Sequence, residues 1–415
     1  MCLVALQEWV KGACAYILGL ESLPMPRVEA NPTPSVLAWA RTSMGLSVEE
    51  AARRIGVSEK KLAEWEAGTL KPTFAQLRKV GAAYKRPVAA FYLQAPPRDF
   101  EAMHDFRRHP GGSATSISPD LALEIRKGYD RREWAIELLG QLDERPKDIF
   151  PTIRLDQGIE EAARRVRDFL NITVEIQSQW QDKVFQHWRR QIEQTGILTF
   201  EMTGVPIEEA RGFSIGIKPM PVAVANIKDS PRARIFTLLH ETAHILLNAA
   251  GICDFDERGR GESATVETFC NQVAGATIFP QEALLRSEVV LKHARGRADW
   301  TDQELRSLSQ TFGGSRESAL IRLRTLGLTT QAFCDARRAR FRQEYRAEQE
   351  RRVQKDGGFV PPHQLALLSA GPMFVSLVVE NFNRERITVS DFSDYLQIRA
   401  KHIAEIQQDY AGFGG

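Results

Sequence analysis

His240, Glu241 and His244 lie in the stretch FTLLHETAHILLNAAG, residues 236–251. On a helix, side chains four residues apart share a face. The two imidazoles would therefore converge on one point, with Glu241 projecting near the same edge. Two such histidines are two of the three protein ligands that an open catalytic zinc site takes. Phe236, Leu238, Leu239, Ile245, Leu246 and Leu247 surround these groups, and burying ionisable side chains without partners is costly. A metal ion supplies the partner.

A third ligand must come from elsewhere. Asp254, Asp256, Glu257 and Glu262 sit in the polar stretch DFDERGRGES, and Glu267 stands near the start of VETFCNQVAGATIF, residues 266–279. Of these, Glu267 opens a second apolar helix that can pack on the first and aim its carboxylate at the metal. Asn271, one turn on, is either a helix-surface amide or a group placed to hydrogen-bond a ligand histidine from behind. Cys270 reads as a small buried apolar residue rather than a competing soft ligand. A His/His/carboxylate set suits zinc, one ion per chain, and also manganese or another divalent metal. It leaves a position for a water whose pKa falls towards about 7. Glu241 would take that water's proton and pass it to a leaving amine. The run PVAVAN, residues 221–226, reads as an edge strand ahead of the helix. A substrate peptide could add to it in extended form, which is endopeptidase chemistry.

The elements that must hold these residues are legible in outline. GILTFE (196–201), GFSIGI (212–217) and PVAVAN read as three short strands separated by turn residues. Helices are expected at 120–142, 159–170, 231–249 and 266–279, with 300–326 helical and a charged helix over 335–355. The basic run of that last helix reads as a solvated face. Further towards the N-terminus, Ser47 and Glu50 form a capping box that opens AARRIG, Gly56 makes a turn, and Ser58 caps EKKLAEWEAG, which stops at Gly68. Helix, glycine turn and helix make the helix-turn-helix layout. The Gly/Ser/Pro-rich HPGGSATSISP, 109–119, marks a boundary. The expected organisation is an N-terminal extension over 1–32, a helix-turn-helix domain over 33–95, a linker over 96–119, a metal-binding domain over 120–330 and a helical region over 331–415. The fold class is mainly α with a small β-sheet (α+β).

Length and composition set bounds. A chain of 415 residues is long enough for two or three domains. Its net charge of +2 excludes a polycation, so any nucleic-acid surface must be local. Residues 36–92 hold ten Lys/Arg against five Asp/Glu, enough to attract a phosphate backbone. On the second helix of the motif Ser58, Lys60 and Lys61 are the expected DNA contacts, beside Glu59 and Glu64, which repel phosphate. Five scattered cysteines without a C-x-x-C pair argue against a disulfide framework and for the cytoplasm. No apolar stretch has the length of a membrane span. The start MCLVALQEWVKGACAYILGL lacks a basic n-region and is interrupted by Glu8 and Lys11, unlike a signal peptide. Residues 1–24 read as an upstream extension, with Met25 an alternative start.

The stretch NIKDSPRARIFTLLHETAHILL, followed by ETFCNQVAGATIFP, resembles the ImmA/IrrE family of metallopeptidases. Asn226, Arg232, Arg234, Phe236, Thr237, His240, Glu241, His244, Glu267, Ala274 and Pro280 match that family's pattern. Ala243 stands where the family often has Gly, Cys270 replaces Ala, and Val273 replaces Phe. LSVEEAARRIGVSEKKLAEWEAGTLKPTFAQLRKV is similar to the Xre-type helix-turn-helix domain often fused ahead of such peptidases, with Val48 where Gln is usual. The tail GPMFVSLVVENFNRERITVSDFSDYLQI resembles the helical C-terminal part of these fusions. The two motif-bearing stretches cover most of residues 33–330. The resemblance implies a zincin-like domain with zinc on His240, His244 and Glu267 and with Glu241 as general base. It also implies a bacterial regulator that cuts a partner repressor in response to DNA damage or mobile elements, with possible DNA binding and homodimerisation. Two other readings fit the sequence. One is a DNA-binding regulator or antitoxin whose peptidase-like domain holds a toxin or other partner without cutting it. The other is a metal-dependent sensor of a small molecule.

Overall fold

The computed structural model describes residues 29–96, 118–180, 183–248, 260–293, 298–355 and 360–413. The described residues fall into two compact units. The first holds residues 29–96 with 118–122, and the second begins at Leu123.

The first unit is helical. Helices α1 (Pro34–Thr42), α2 (Val48–Ile55), α3 (Glu59–Glu66) and α4 (Phe74–Ala83) are followed by a 3-10 turn over Val88–Tyr92. Their ends lie where the local chemistry stops them. Ser47 and Glu50 close the expected capping box on α2, and Gly56 ends it at φ +78°. Ser58 caps α3 by accepting from the Lys61 N–H. Leu37, Ala40, Ala52, Ile55, Leu62, Trp65, Leu77 and Phe91 build this unit's own core. Arg41 grips Glu66 through two hydrogen bonds of 2.8 and 3.0 Å and so ties α1 to α3.

The long helix α5 (Pro119–Gln141) leads into the second unit. There α6 (Ile159–Phe169), α7 (Val174–Ser178) and α8 (Val184–Gln194) precede the strands β1 (Leu198–Met202), β2 (Gly212–Ile215) and β3 (Val222–Asn226). Next come α9 (Pro231–Asn248), α10 (Arg260–Ile278), α11 (Gln281–Leu285), α12 (Glu288–Lys292), α13 (Asp302–Phe312), α14 (Arg316–Thr325) and α15 (Gln331–Lys355). The chain finishes with α16 (Pro362–Ala370), α17 (Pro372–Asn383), α18 (Val389–Leu396) and α19 (Ile403–Phe413). The expected mainly helical fold with a small sheet is therefore present. The stretch 300–326 is helical as expected, in two helices separated at Gly313, whose φ is +71°.

One expectation fails. The sheet order is β1-β3-β2, so residues 221–226 form the central strand, not an edge. β3 pairs in parallel with β1, setting Phe200 beside Val224. It pairs antiparallel with β2, setting Phe213 beside the same residue. All five residues of β3 are buried, as a strand covered on both faces requires. The edge strands are β1, against which α16 packs, and β2, which lies along α9. Within the second unit, Leu238, Leu239, Ala243, Leu246, Val273, Ala274, Phe279 and Leu320 belong to one continuous core. From Thr237 to Leu247 every residue of α9 is buried. Among the described residues no single helix is long and apolar enough to cross a membrane.

Candidate metal centre

The turn before α9 is built to launch a buried helix. Asn226, itself fully buried, donates to the carbonyls of Val205 and Ala210 at 3.1 and 2.9 Å and accepts from the Lys228 N–H at 3.0 Å. Pro231 is the first helical residue, where its missing N–H costs nothing, and the Ser230 hydroxyl accepts from the Ala233 N–H. In the helix's first turn, Arg234 pairs with the buried Glu201 of β1. Glu201 also takes Arg189 of α8 at 2.9 Å. Arg232 reaches Ser309 of α13 at 2.6 Å. The two arginines ahead of the HETAH motif thus fasten the start of α9 to two neighbours.

His240 and His244 meet as their spacing requires, with their Nε2 atoms 3.0 Å apart. Helix α10 packs on α9 and brings Glu267 across. One carboxylate oxygen lies 3.4 Å from His240 Nε2 and the other 3.2 Å from His244 Nε2. Bonds of about 2.0 Å to a tetrahedral zinc put neighbouring ligand atoms about 3.3 Å apart. The three separations therefore fit a single small cation. Both histidines are buried, whereas the Glu267 side chain is 32% exposed, so the group opens to solvent on the carboxylate's side.

The electrostatics agree with that fit. Burial pushes the Glu267 carboxyl up, but hydrogen bonds and charge from the two imidazoles outweigh this and hold it well below the ordinary range. Burial pulls His244 down, while Cys270, Glu267 and Glu241 together hold it well above the ordinary imidazole value. The negative surroundings that keep a proton on His244 in the absence of an ion would favour a metal cation in that proton's place.

Glu241 lies on the sheet side of the group. Its Oε2 accepts a hydrogen bond from Ser214 Oγ of β2 at 2.9 Å. Beside it is Gly212, where an added Cβ would come within 2.3 Å of Thr237 Cγ2, 2.5 Å of Val224 O and 3.3 Å of Glu241 Oε1. The close approach of strand to helix depends on there being no side chain at 212. Neither Ser214 nor Gly212 stood out in the sequence, although the glycine that starts an otherwise apolar strand was a visible signal.

The other expected residues are placed as follows. Asn271 is half-buried one turn beyond Glu267 on α10. Cys270 is buried in the core and hydrogen-bonds His244. Its sulfur lies outside the group of mutually close ligand atoms formed by His240, His244 and Glu267, and burial pushes its thiol up. Asp254, Asp256 and Glu257 lie outside the described residues, as does the Glu262 side chain. In the first unit, Ser58 caps α3 with its hydroxyl. Lys60 is 85% exposed and stands 4.0 Å from Glu64. Lys61 lies over the Trp65 ring at 5.8 Å.

Two family models match the chain. The helix-turn-helix model matches residues 37–91, and the Peptidase M78 model, described as an IrrE N-terminal-like domain, matches residues 192–324. The second match contains β1 to α13, and with them both histidines and Glu267. No curated protein matches the chain. Among solved structures, Bacillus thuringiensis PlcR in complex with the peptide PapR7 and DNA is similar at 12% identity, over 79% of this chain and 100% of that one. Its TM-score of 0.16 means that the two chains do not superpose as wholes. In chain order, then, this protein carries a helix-turn-helix domain and a domain of the IrrE N-terminal-like peptidase family.

Proposed function

We propose that this protein is a regulatory zinc-dependent endopeptidase that cuts a specific partner protein, such as a transcriptional repressor, and that its helix-turn-helix domain binds DNA. The observation that carries the proposal is the convergence of His240, His244 and Glu267, with Glu241 on the same helix and near enough for its charge to act on His244. A binding-only domain has no use for Glu241. A zinc ion held by the first three residues would supply Lewis acidity, lowering the pKa of water and polarising a substrate carbonyl.

The chain's own residues do the rest. Ser214 holds the Glu241 carboxylate through Oε2 and so orients it to accept a proton from water and return it to the leaving amine. The start of α9 is anchored by Arg232 and Arg234, so the helix keeps its position through the reaction. With β3 at the centre of the sheet, the extended substrate docks instead along β2. That strand is an edge, and it carries Gly212 and Ser214 next to the general base. An extended backbone laid on this edge would gain strand hydrogen bonds and bring a peptide carbonyl towards the metal group. Asn271 supports the ligand set from α10. In the first unit the exposed Lys60 contacts phosphate, with Ser58 beside it at the start of α3.

The test compares newly formed protein N-termini in cells carrying the wild type or Glu241→Gln. Glu241→Gln keeps all three metal ligands, so zinc content should stay at about one per chain at the site while cleavage falls by about a hundredfold or more. A substrate N-terminus present only with the wild type is the expected result. Identical sets of N-termini would refute cleavage and leave a domain that binds without cutting.

A further inference from the structure

We infer a second divalent-cation site, in the C-terminal helices, held by His363, His402 and Glu405. His363 stands in the first turn of α16. His402 ends a 3-10 turn over Ala400–His402, and Glu405 lies in the first turn of α19. The Nδ1 atoms of both histidines point at the same carboxylate oxygen, Glu405 Oε2, at 3.2 Å for His363 and 2.5 Å for His402; the second is a hydrogen bond, whose shared proton an entering cation would displace while spreading that pair to about 3.3 Å. One ligand atom from each of the three residues lies within 4.8 Å of the others.

A fourth group stands beside them. His363 Nε2 is 3.6 Å from Asp409 Oδ2, so this imidazole has a carboxylate at each nitrogen. Asp409 lies one turn beyond Glu405, and its carboxylate can orient His363 from the side away from the cation. The side chains of His363 and His402 are 18% and 15% exposed, against 48% for Glu405. The histidines are held by packing, while the carboxylate faces the solvent from which an ion would arrive. Two imidazoles and a carboxylate suit zinc or another borderline divalent ion.

The site has structural consequences. Its ligands come from α16 and from the segment around α19, separated by about forty residues of chain. A cation would staple the end of the chain to α16, the helix that packs on β1. The Leu368 carbonyl of α16 accepts from Arg189, and Arg189 pairs with Glu201, the residue that also holds Arg234 at the start of α9. The staple therefore secures the far end of a chain of contacts that reaches the helix bearing the HETAH motif.

The test uses the full chain with His244→Ala, which removes the first metal group, so that success or failure here is separate from the peptidase reading. After chelation and dialysis the probe is zinc alone, measured as bound metal per chain, with hydrogen exchange across 362–370 and 403–410. We expect one zinc per chain and slower exchange in both segments. Adding His402→Gln or Glu405→Gln should abolish both effects, and Asp409→Asn should weaken binding about tenfold. Glu405 is exposed, so its substitution leaves folding intact and circular dichroism will verify it. No zinc uptake by the His244→Ala chain would overturn the site, as would uptake that persists with Glu405→Gln.

Discussion

At the scale of single residues, the site depends on two requirements of opposite kind. In the proposed metal site His240, His244 and Glu267 must be present to hold a cation, and Gly212 must lack a side chain. The ligand requirement predicts that the zinc bound at this site is lost in Glu267→Ala and in His244→Ala, measured as metal per chain in the purified protein. Zinc at this site surviving Glu267→Ala would remove that residue from the ligand set. The glycine requirement predicts that Gly212→Ala is destabilising, because its new Cβ would stand 2.3 Å from Thr237 Cγ2 and 2.5 Å from a backbone oxygen. Overpacking of this kind costs about 1–3 kcal/mol. Gly140 on α5 has nothing within 4 Å of the position its Cβ would take, so Gly140→Ala should be neutral or stabilising by up to about 1 kcal/mol. Urea midpoints of the two variants measure the contrast. Equal midpoints would mean that strand and helix can separate at Gly212 without cost.

At the scale of elements, what could be read from the sequence was whatever repeats locally. The four-residue step from His240 to His244 predicts a shared helix face, and the serines at 47 and 58 predict helix starts. All of this follows from neighbours in the chain. Strand order does not, because it is decided by hydrogen bonds to distant segments. A sign of it was nevertheless present. Residues 222–225 read VAVA, with no polar residue at alternate positions, as expected for a strand covered on both faces. In GFSIGI the half-exposed Ser214 interrupts the apolar run. Glu201 was less legible still, since a carboxylate near the end of a strand reads as solvent-facing and its partners, Arg189 and Arg234, lie on two helices. It is 1% exposed. Removing one member of a buried ion pair strands its partners and costs about 3–5 kcal/mol, so Glu201→Ala should lower stability by that amount and loosen α8, β1 and α9 together. Asp156, in an exposed pair with Arg154, is the control, and its alanine variant should leave stability essentially unchanged. A small effect at Glu201 would show that the two arginines find other partners.

At the scale of the whole molecule, the two compact units differ in what a metal can do for them. The first has its own core around Trp65, Leu77 and Phe91 and contains none of the clustered metal-ligand residues found among the described residues. The second contains His240, His244 and Glu267, with α9 and α10 at the centre of its core. A ligand that binds only the folded state stabilises it by about 2.7 kcal/mol when present at a hundred times its dissociation constant. Stripping zinc with a chelator should therefore lower the melting temperature of the second unit by several degrees. It should also speed amide exchange along α9 and α10, while leaving exchange in α2, α3 and α4 unchanged. Restoring zinc should reverse the shift in the wild type, and in the His244→Ala chain any recovery should be confined to the C-terminal helices. The comparison also separates two roles for the metal. If the chelated protein loses activity but α9 keeps its slow exchange, the ion acts in chemistry on a helix that the core already holds. If exchange along α9 rises with the loss of zinc, the pair of buried histidines needs the cation to stay folded. The latter is the expected result, because without a cation two imidazole nitrogens 3.0 Å apart beside the Glu267 carboxylate must be held together by shared protons alone.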